Sequence, residues 1–195
     1  MLDSLPPATR AILAANVIVF MAQQLIGEAL LQQFALWPLG TLFQPWQLVT
    51  YAFLHGSFAH IFFNMFALFM FARPLELYWG SRRFTLYYFA CVIAAGATQL
   101  WTSALANSTE ATVGASGGVF GLLLAFAMYF PRQRITLLFP PIPMPAWLFV
   151  TLYGALELVL GVTNTQAGVA HFAHLGGMLG GAIVILYWRA RKIAP

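Results

Sequence analysis

Apolar residues fall into six blocks, at about 11–27, 58–79, 83–105, 115–130, 146–162 and 168–188. Each is near the roughly 20 residues that carry a helix across the hydrocarbon core of a bilayer. The fourth block is the short one. From Ser116 to Phe130 is 14 steps, about 21 Å of helix at 1.5 Å per residue, against a hydrocarbon core about 30 Å thick. The loop before it must therefore dip into the membrane, which is tolerable only where protein or water lines the backbone. Between the first two blocks, residues 28–57 are rich in Leu, Phe, Trp and Pro and hold a single charge, Glu28. That stretch is too interrupted to span and too apolar for water, and it reads as short helices lying in the interface. Ser57 is placed to cap the second helix, Gly80-Ser81 to close it and open the third, and Pro131 to stop the fourth. Pro140, Pro141, Pro143 and Pro145 keep the following loop non-helical.

Composition fits this pattern. Of 195 residues, 61% are hydrophobic and 7% charged, where a soluble domain carries about 25% charged residues. The expectation is an all-α integral membrane protein: one six-helix domain over 11–189, with short cytoplasmic tails at 1–10 and 190–195. The net charge of +4 is no nucleic-acid signal, because the cations sit between apolar blocks and report topology instead. They are Arg10; Arg73, Arg82 and Arg83; Arg132 and Arg134; and Arg189, Arg191 and Lys192, while residues 28–57, 106–114 and 163–167 contain no Lys or Arg. Both termini are then cytoplasmic. No cleavable signal peptide is expected, since no small-x-small site follows the apolar run after Arg10. The lone Cys91 excludes an intrachain disulfide and a thiolate metal framework.

Depth brings the polar residues together. His174 lies 14 steps from Trp188, which adjoins the cytoplasmic Arg189, and His60 lies 13 steps from Arg73. Ser116, His174 and His60 thus share one level near the non-cytoplasmic side. Polar groups facing lipid are costly, so these three and Asn64 should turn inward together. Gly117 and Gly121, Gly177 and Gly181, and Gly176 and Gly180 are each four apart, the small-xxx-small spacing that brings membrane helices into backbone contact. His174, Gly177 and Gly181 follow i, i+3, i+7, so the histidine stands on the packing stripe.

A serine hydroxyl is a poor nucleophile until a base takes its proton, and imidazole suits that task. Ser116 sits in the first turn of its helix, where unpaired N–H groups await a developing oxyanion. Asn64, four residues after His60, points a second donor into the same cavity. Of the acidic residues, Asp3, Glu28, Glu76 and Glu110 lie away from this level. Glu157 is nearer the outer end of the fifth block, but nothing in its spacing ties it to His174. A Ser116–His174 dyad is therefore expected rather than a triad. Gly114-Ala115-Ser116-Gly117-Gly118 also fits G-x-S-x-G, but that elbow needs a strand and a soluble α/β sheet. No H-E-x-x-H occurs and no carboxylate or Cys completes a ligand set around His171, His174, His55 and His60, so neither metal nor cofactor is expected. His55 and His171 are assigned structural hydrogen-bonding roles. A transporter would need polar groups continuing inward, and beyond Phe120 and Gly181 the fourth and sixth blocks are nearly all apolar.

These residues resemble the rhomboid family of intramembrane serine proteases. The resemblance runs in order from Trp46 to Gly181: Leu54-His55-Gly56-Ser57-Phe58-Ala59-His60 with Asn64, then Gly114-Ala115-Ser116-Gly117, then Ala173-His174-Leu175-Gly176-Gly177 with Gly181. It implies hydrolysis of peptide bonds within or beside transmembrane segments of membrane-protein substrates. The shared depth has the site opening toward the non-cytoplasmic side, and the compact six-span form without a targeting sequence points to a bacterial inner membrane. Ser116 would be the nucleophile and His174 the general base and acid. The Ser116 N–H, His60 and Asn64 would form the oxyanion hole, and Phe120 would pack on the catalytic imidazole. Gly114, Gly117, Gly177 and Gly181 would pack the site. Residues 28–57 would form a membrane-embedded loop, about 146–162 a lateral gate, and about 163–168 a cap. Many members have Trp-Arg where this chain has Trp46-Gln47, so the anchoring of that loop should differ. The alternative is a non-catalytic relative that binds or escorts transmembrane clients; such relatives typically lack the Ser or the His.

Overall fold

The computed structural model describes residues 5–40, 42–136, 141–163, 165 and 169–192. The cap expected at about 163–168 falls mostly outside the described residues. Helix α1 spans Pro7–Ile26, α2 Glu28–Phe34 and α3 Gln47–Thr50, which runs into a 3-10 turn at Tyr51–Phe53. Then come α4 Phe58–Trp79, α5 Ser81–Leu105, α6 Ser116–Tyr129, α7 Ala146–Thr163 and α8 His171–Ala190. Helices α1, α4, α5, α7 and α8 are long and apolar enough to cross a membrane, while α6, of 14 residues, is shorter. The exterior is apolar: Leu25, Leu77, Leu158 and Leu186 are all exposed. This is an integral membrane protein.

The caps lie where side-chain chemistry demands. The Ser57 hydroxyl accepts from the His60 N–H at 3.1 Å and starts α4. Gly80, at φ +79°, closes α4 and opens α5. Pro74 lies within α4 without ending it. The proline-rich loop after α6 is non-helical, but it contains a short antiparallel ladder that hydropathy does not reveal. Strands β1 (Arg134–Thr136) and β2 (Pro143–Pro145) pair with Ile135 opposite Met144. Two of the three β2 residues are prolines, which cannot donate to a ladder and keep it short.

Helix α5 packs against both α6 and α8, and α6, with ten of its 14 residues buried, is the most enclosed helix of the bundle. Glycines set these approaches. A Cβ on Gly177 would run into the carbonyl of Gly117, and one on Gly121 would meet Cys91 of α5 and come within 3.2 Å of the Gly177 carbonyl. Gly176 and Gly180 point elsewhere, toward Thr98 and Ala94 of α5. The small-residue stripe of α8 is thus divided between two neighbours. The Tyr87 hydroxyl ties the layers by donating to the Gly121 carbonyl at 2.7 Å.

Residues 28–57 contain the expected short helices, held by buried amides. Gln47, fully buried, accepts from the Gln44 N–H at 3.2 Å and the Trp37 N–H at 3.3 Å, and donates to the Leu42 carbonyl at 3.1 Å. A neutral side chain therefore anchors the loop. Gln23 of α1 donates to the His55 carbonyl at 2.8 Å and accepts its N–H at 3.1 Å. At the other end, Glu76 accepts from the N–H groups of Ala8 and Thr9 and from the hydroxyls of Thr9 and Ser81, at 2.6–2.8 Å. It satisfies the open start of α1 and fixes it to the α4–α5 turn.

Candidate active site

Ser116 is the first residue of α6, and the turn before it is held from both sides. Leu36 and Thr112 exchange backbone hydrogen bonds at 2.9 and 3.0 Å, and the Gly114 N–H donates to the Tyr51 carbonyl at 2.9 Å. Gly114 adopts φ +128°, and a Cβ there would lie 2.7 Å from the His60 ring. Conformation and space both require glycine.

The Ser116 Oγ lies 2.8 Å from Nε2 of His174, which stands in the first turn of α8. The Phe120 ring, one turn along α6, stacks on the imidazole at 4.2 Å between centroids and 6° between planes. On its other nitrogen, His174 Nδ1 lies 2.8 Å from Oε2 of Glu157 in α7. The same oxygen is 2.7 Å from Nδ1 of His171. All three side chains are buried. An ionised carboxylate only accepts, so both Nδ1 atoms carry hydrogen, and His174 Nε2 presents its lone pair to the Ser116 hydroxyl.

The expected separation of Glu157 from His174 is therefore corrected: the pair becomes a Ser116–His174–Glu157 chain of hydrogen bonds. Counting outward from Ala146, the first residue of α7, Glu157 lies 11 steps along, about 16 Å. That is within a turn of the level shared by Ser116 and His174, and the same depth count would have flagged it. The ground for expecting no metal, a missing carboxylate, also does not hold. Glu157, His171 and His174 bring three potential ligand atoms within 4.8 Å of one another, and two histidines with a carboxylate are a known zinc set.

His60 and Asn64, on α4, face the same space. His60 Nδ1 receives a long contact from the Gly56 N–H at 3.4 Å, which leaves Nε2 to carry the hydrogen beside Gly114. Asn64 Nδ2 donates to the His60 carbonyl at 3.1 Å and retains a second amide hydrogen. Both residues line a cavity of about 1010 Å³ with Ser116, Phe120, Tyr153 and His174. His171 hydrogen-bonds through Nδ1 as a structural residue would. His55 does so only through its backbone, since both its ring nitrogens are buried without a partner among the described residues.

A hydroxyl, an oriented imidazole and donors around one cavity can carry acyl transfer. A family model described as Rhomboid domain matches residues 42–191. The chain is 31% identical to rhomboid protein 1, mitochondrial, of Saccharomyces cerevisiae, over 89% of this chain and 51% of that protein. It is 27% identical to the rhomboid protease GlpG of Serratia proteamaculans, over 96% of this chain and 64% of the relative. It is 30% identical to the putative rhomboid protease YdcA of Bacillus subtilis, over 71% and 65%. The chain thus spans about half to two thirds of the length of these relatives.

Proposed function

The chain belongs to the rhomboid family, and from that premise we propose that it is an intramembrane serine endopeptidase acting on transmembrane protein substrates. The observation that carries this reading is the 2.8 Å contact between Ser116 Oγ and an imidazole held by Phe120 stacked on its face and by Glu157 at Nδ1.

In this reading Ser116 Oγ attacks the scissile carbonyl while His174 Nε2 takes its proton. The tetrahedral oxyanion is received by the Ser116 N–H at the start of α6, with the His60 Nε2–H and the free Asn64 amide hydrogen beside it. His174 then returns the proton to the leaving amine, and the acyl-enzyme remains. Water from the cavity then attacks the acyl carbonyl as the same nitrogen takes its proton. That proton returns to Ser116 Oγ as the acyl–Oγ bond breaks, and the second product leaves as a carboxylic acid. The cation pattern supports six crossings with both termini cytoplasmic and the cavity opening on the other side, and the compact six-span form supports a bacterial inner membrane.

The test is cleavage of a single-span reporter by the purified protein in liposomes. Ser116→Ala should reduce cleavage to background while leaving the thermal midpoint of the bundle unchanged. Cleavage at the wild-type rate would remove Ser116 from the chemistry.

A further inference from the structure

We infer that Glu157 is a positioning residue for His174, and that His171 holds Glu157 in place for that task. The inference rests on the proposed Ser116–His174 chemistry and adds a third and a fourth member to it. One carboxylate oxygen, Oε2, receives both Nδ1–H groups, at 2.7 Å from His171 and 2.8 Å from His174. The two rings are nearly perpendicular, with centroids 6.3 Å apart, so they approach that oxygen from different directions. Rotation of the carboxylate to favour one ring would cost the bond to the other.

Three consequences follow for the reaction. With its hydrogen committed to Nδ1, His174 can offer Ser116 only the basic nitrogen. When the Ser116 proton moves to Nε2, the ring becomes a cation, and Glu157 remains ionised beside it without taking a proton. The bond also reaches across helices. The buried residues of α7 are Ala146, Val150 and Glu157, so Glu157 is the single buried anchor in the outer half of that helix. The base is therefore fully oriented only while the outer part of α7 is seated against α8.

A metal ion is the rival occupant of these atoms. A tetrahedral ion about 2.0–2.2 Å from each ligand would hold the three atoms roughly 3.3 Å apart. The observed 2.7 and 2.8 Å separations are those of hydrogen bonds.

The experiment uses the full chain in liposomes and reads kcat and KM on the reporter, the rate at which a fluorophosphonate labels Ser116, and the ring-nitrogen NMR spectrum of ¹⁵N-histidine. Glu157→Gln should lower kcat about 10²- to 10³-fold with KM nearly unchanged. That is less than the roughly 10⁴-fold loss in a soluble triad, because Phe120 also orients the ring. The same variant should lose the Nδ1–H form of His174, and Glu157→Asp should recover part of kcat. His171→Asn, which retains an amide donor, should keep more activity than His171→Phe. Wild-type kcat in Glu157→Gln, alongside an inactive Ser116→Ala, would overturn this inference and leave the protease reading intact. A wild-type protein that neither cleaves nor labels at Ser116 would sink the protease reading itself. The spectrum of the unsubstituted protein needs no turnover and no variant that folds: His174 protonated at Nε2 rather than Nδ1 at neutral pH overturns the inference. So does activity lost to EDTA and restored by Zn²⁺.

Discussion

At the scale of single residues, membrane depth makes polar side chains conspicuous. Ser116, His174, His60 and Asn64 could be found in the sequence because each is an exception in an apolar run, and an exception in lipid needs a reason. Glu157 was equally conspicuous, but a single carboxylate has no spacing partner on its own helix, and its contacts are made across to α8. Gln23 is not legible for a related cause: an uncharged amide inside an apolar block carries no signal of its own, yet it is buried and anchors the 28–57 segment, as Gln47 does from within that segment. His55 yields a prediction at this scale. Burial, with His60 facing it, pushes its ring from 6.5 down to about 4. The folded protein therefore holds His55 neutral where an unfolded chain would take up a proton. Stability should fall as pH drops from about 6.5 toward about 4, by up to about 3 kcal/mol, and level off below that. Thermal midpoints across this range should show the decline in the wild type and a flatter curve in His55→Leu. Equal slopes would mean that His55 is not the titrating group.

At the scale of elements, the six apolar blocks correspond to α1, α4, α5, α6, α7 and α8, with ends that differ by a few residues. The close seat of α5 on α6 and α8 is not legible, because the residues that meet the glycines of those helices, Ala94, Ala95 and Thr98, are small and carry no signal without their partners. The glycine spacings indicated that α6 and α8 approach closely, but only the structure divides them, with Gly177 on α6 and Gly176 and Gly180 on α5. The β1–β2 ladder was hidden by its own prolines. Gly177→Val places branched carbons where the Gly117 carbonyl lies, and should destabilise the bundle by at least about 2 kcal/mol through overpacking. Leu179→Val, on the exposed face of the same helix, should change stability by less than about 0.5 kcal/mol. Unfolding followed by circular dichroism in detergent would compare the two. Similar midpoints would mean that the α6–α8 contact is not the tight one.

At the scale of the whole molecule, the bundle holds hydrogen-bonded polar side chains inside an apolar body. Its exterior is apolar, and its cavity gathers side chains from α4, α6, α7 and α8, with Ser116, His174, His60 and Asn64 among them. The 28–57 segment and the loop before α6 are laced together through Leu36, Thr112, Tyr51 and Gly114, so Ser116 is presented from a turn fixed by backbone bonds. The most direct test of the account is to treat the protein in liposomes with a serine-reactive fluorophosphonate and map the modified peptide by mass spectrometry. The predicted result is a single adduct on Ser116 in the wild type, reduced at least about 100-fold in rate in His174→Ala. An adduct formed equally fast without His174, or on another serine, would contradict it.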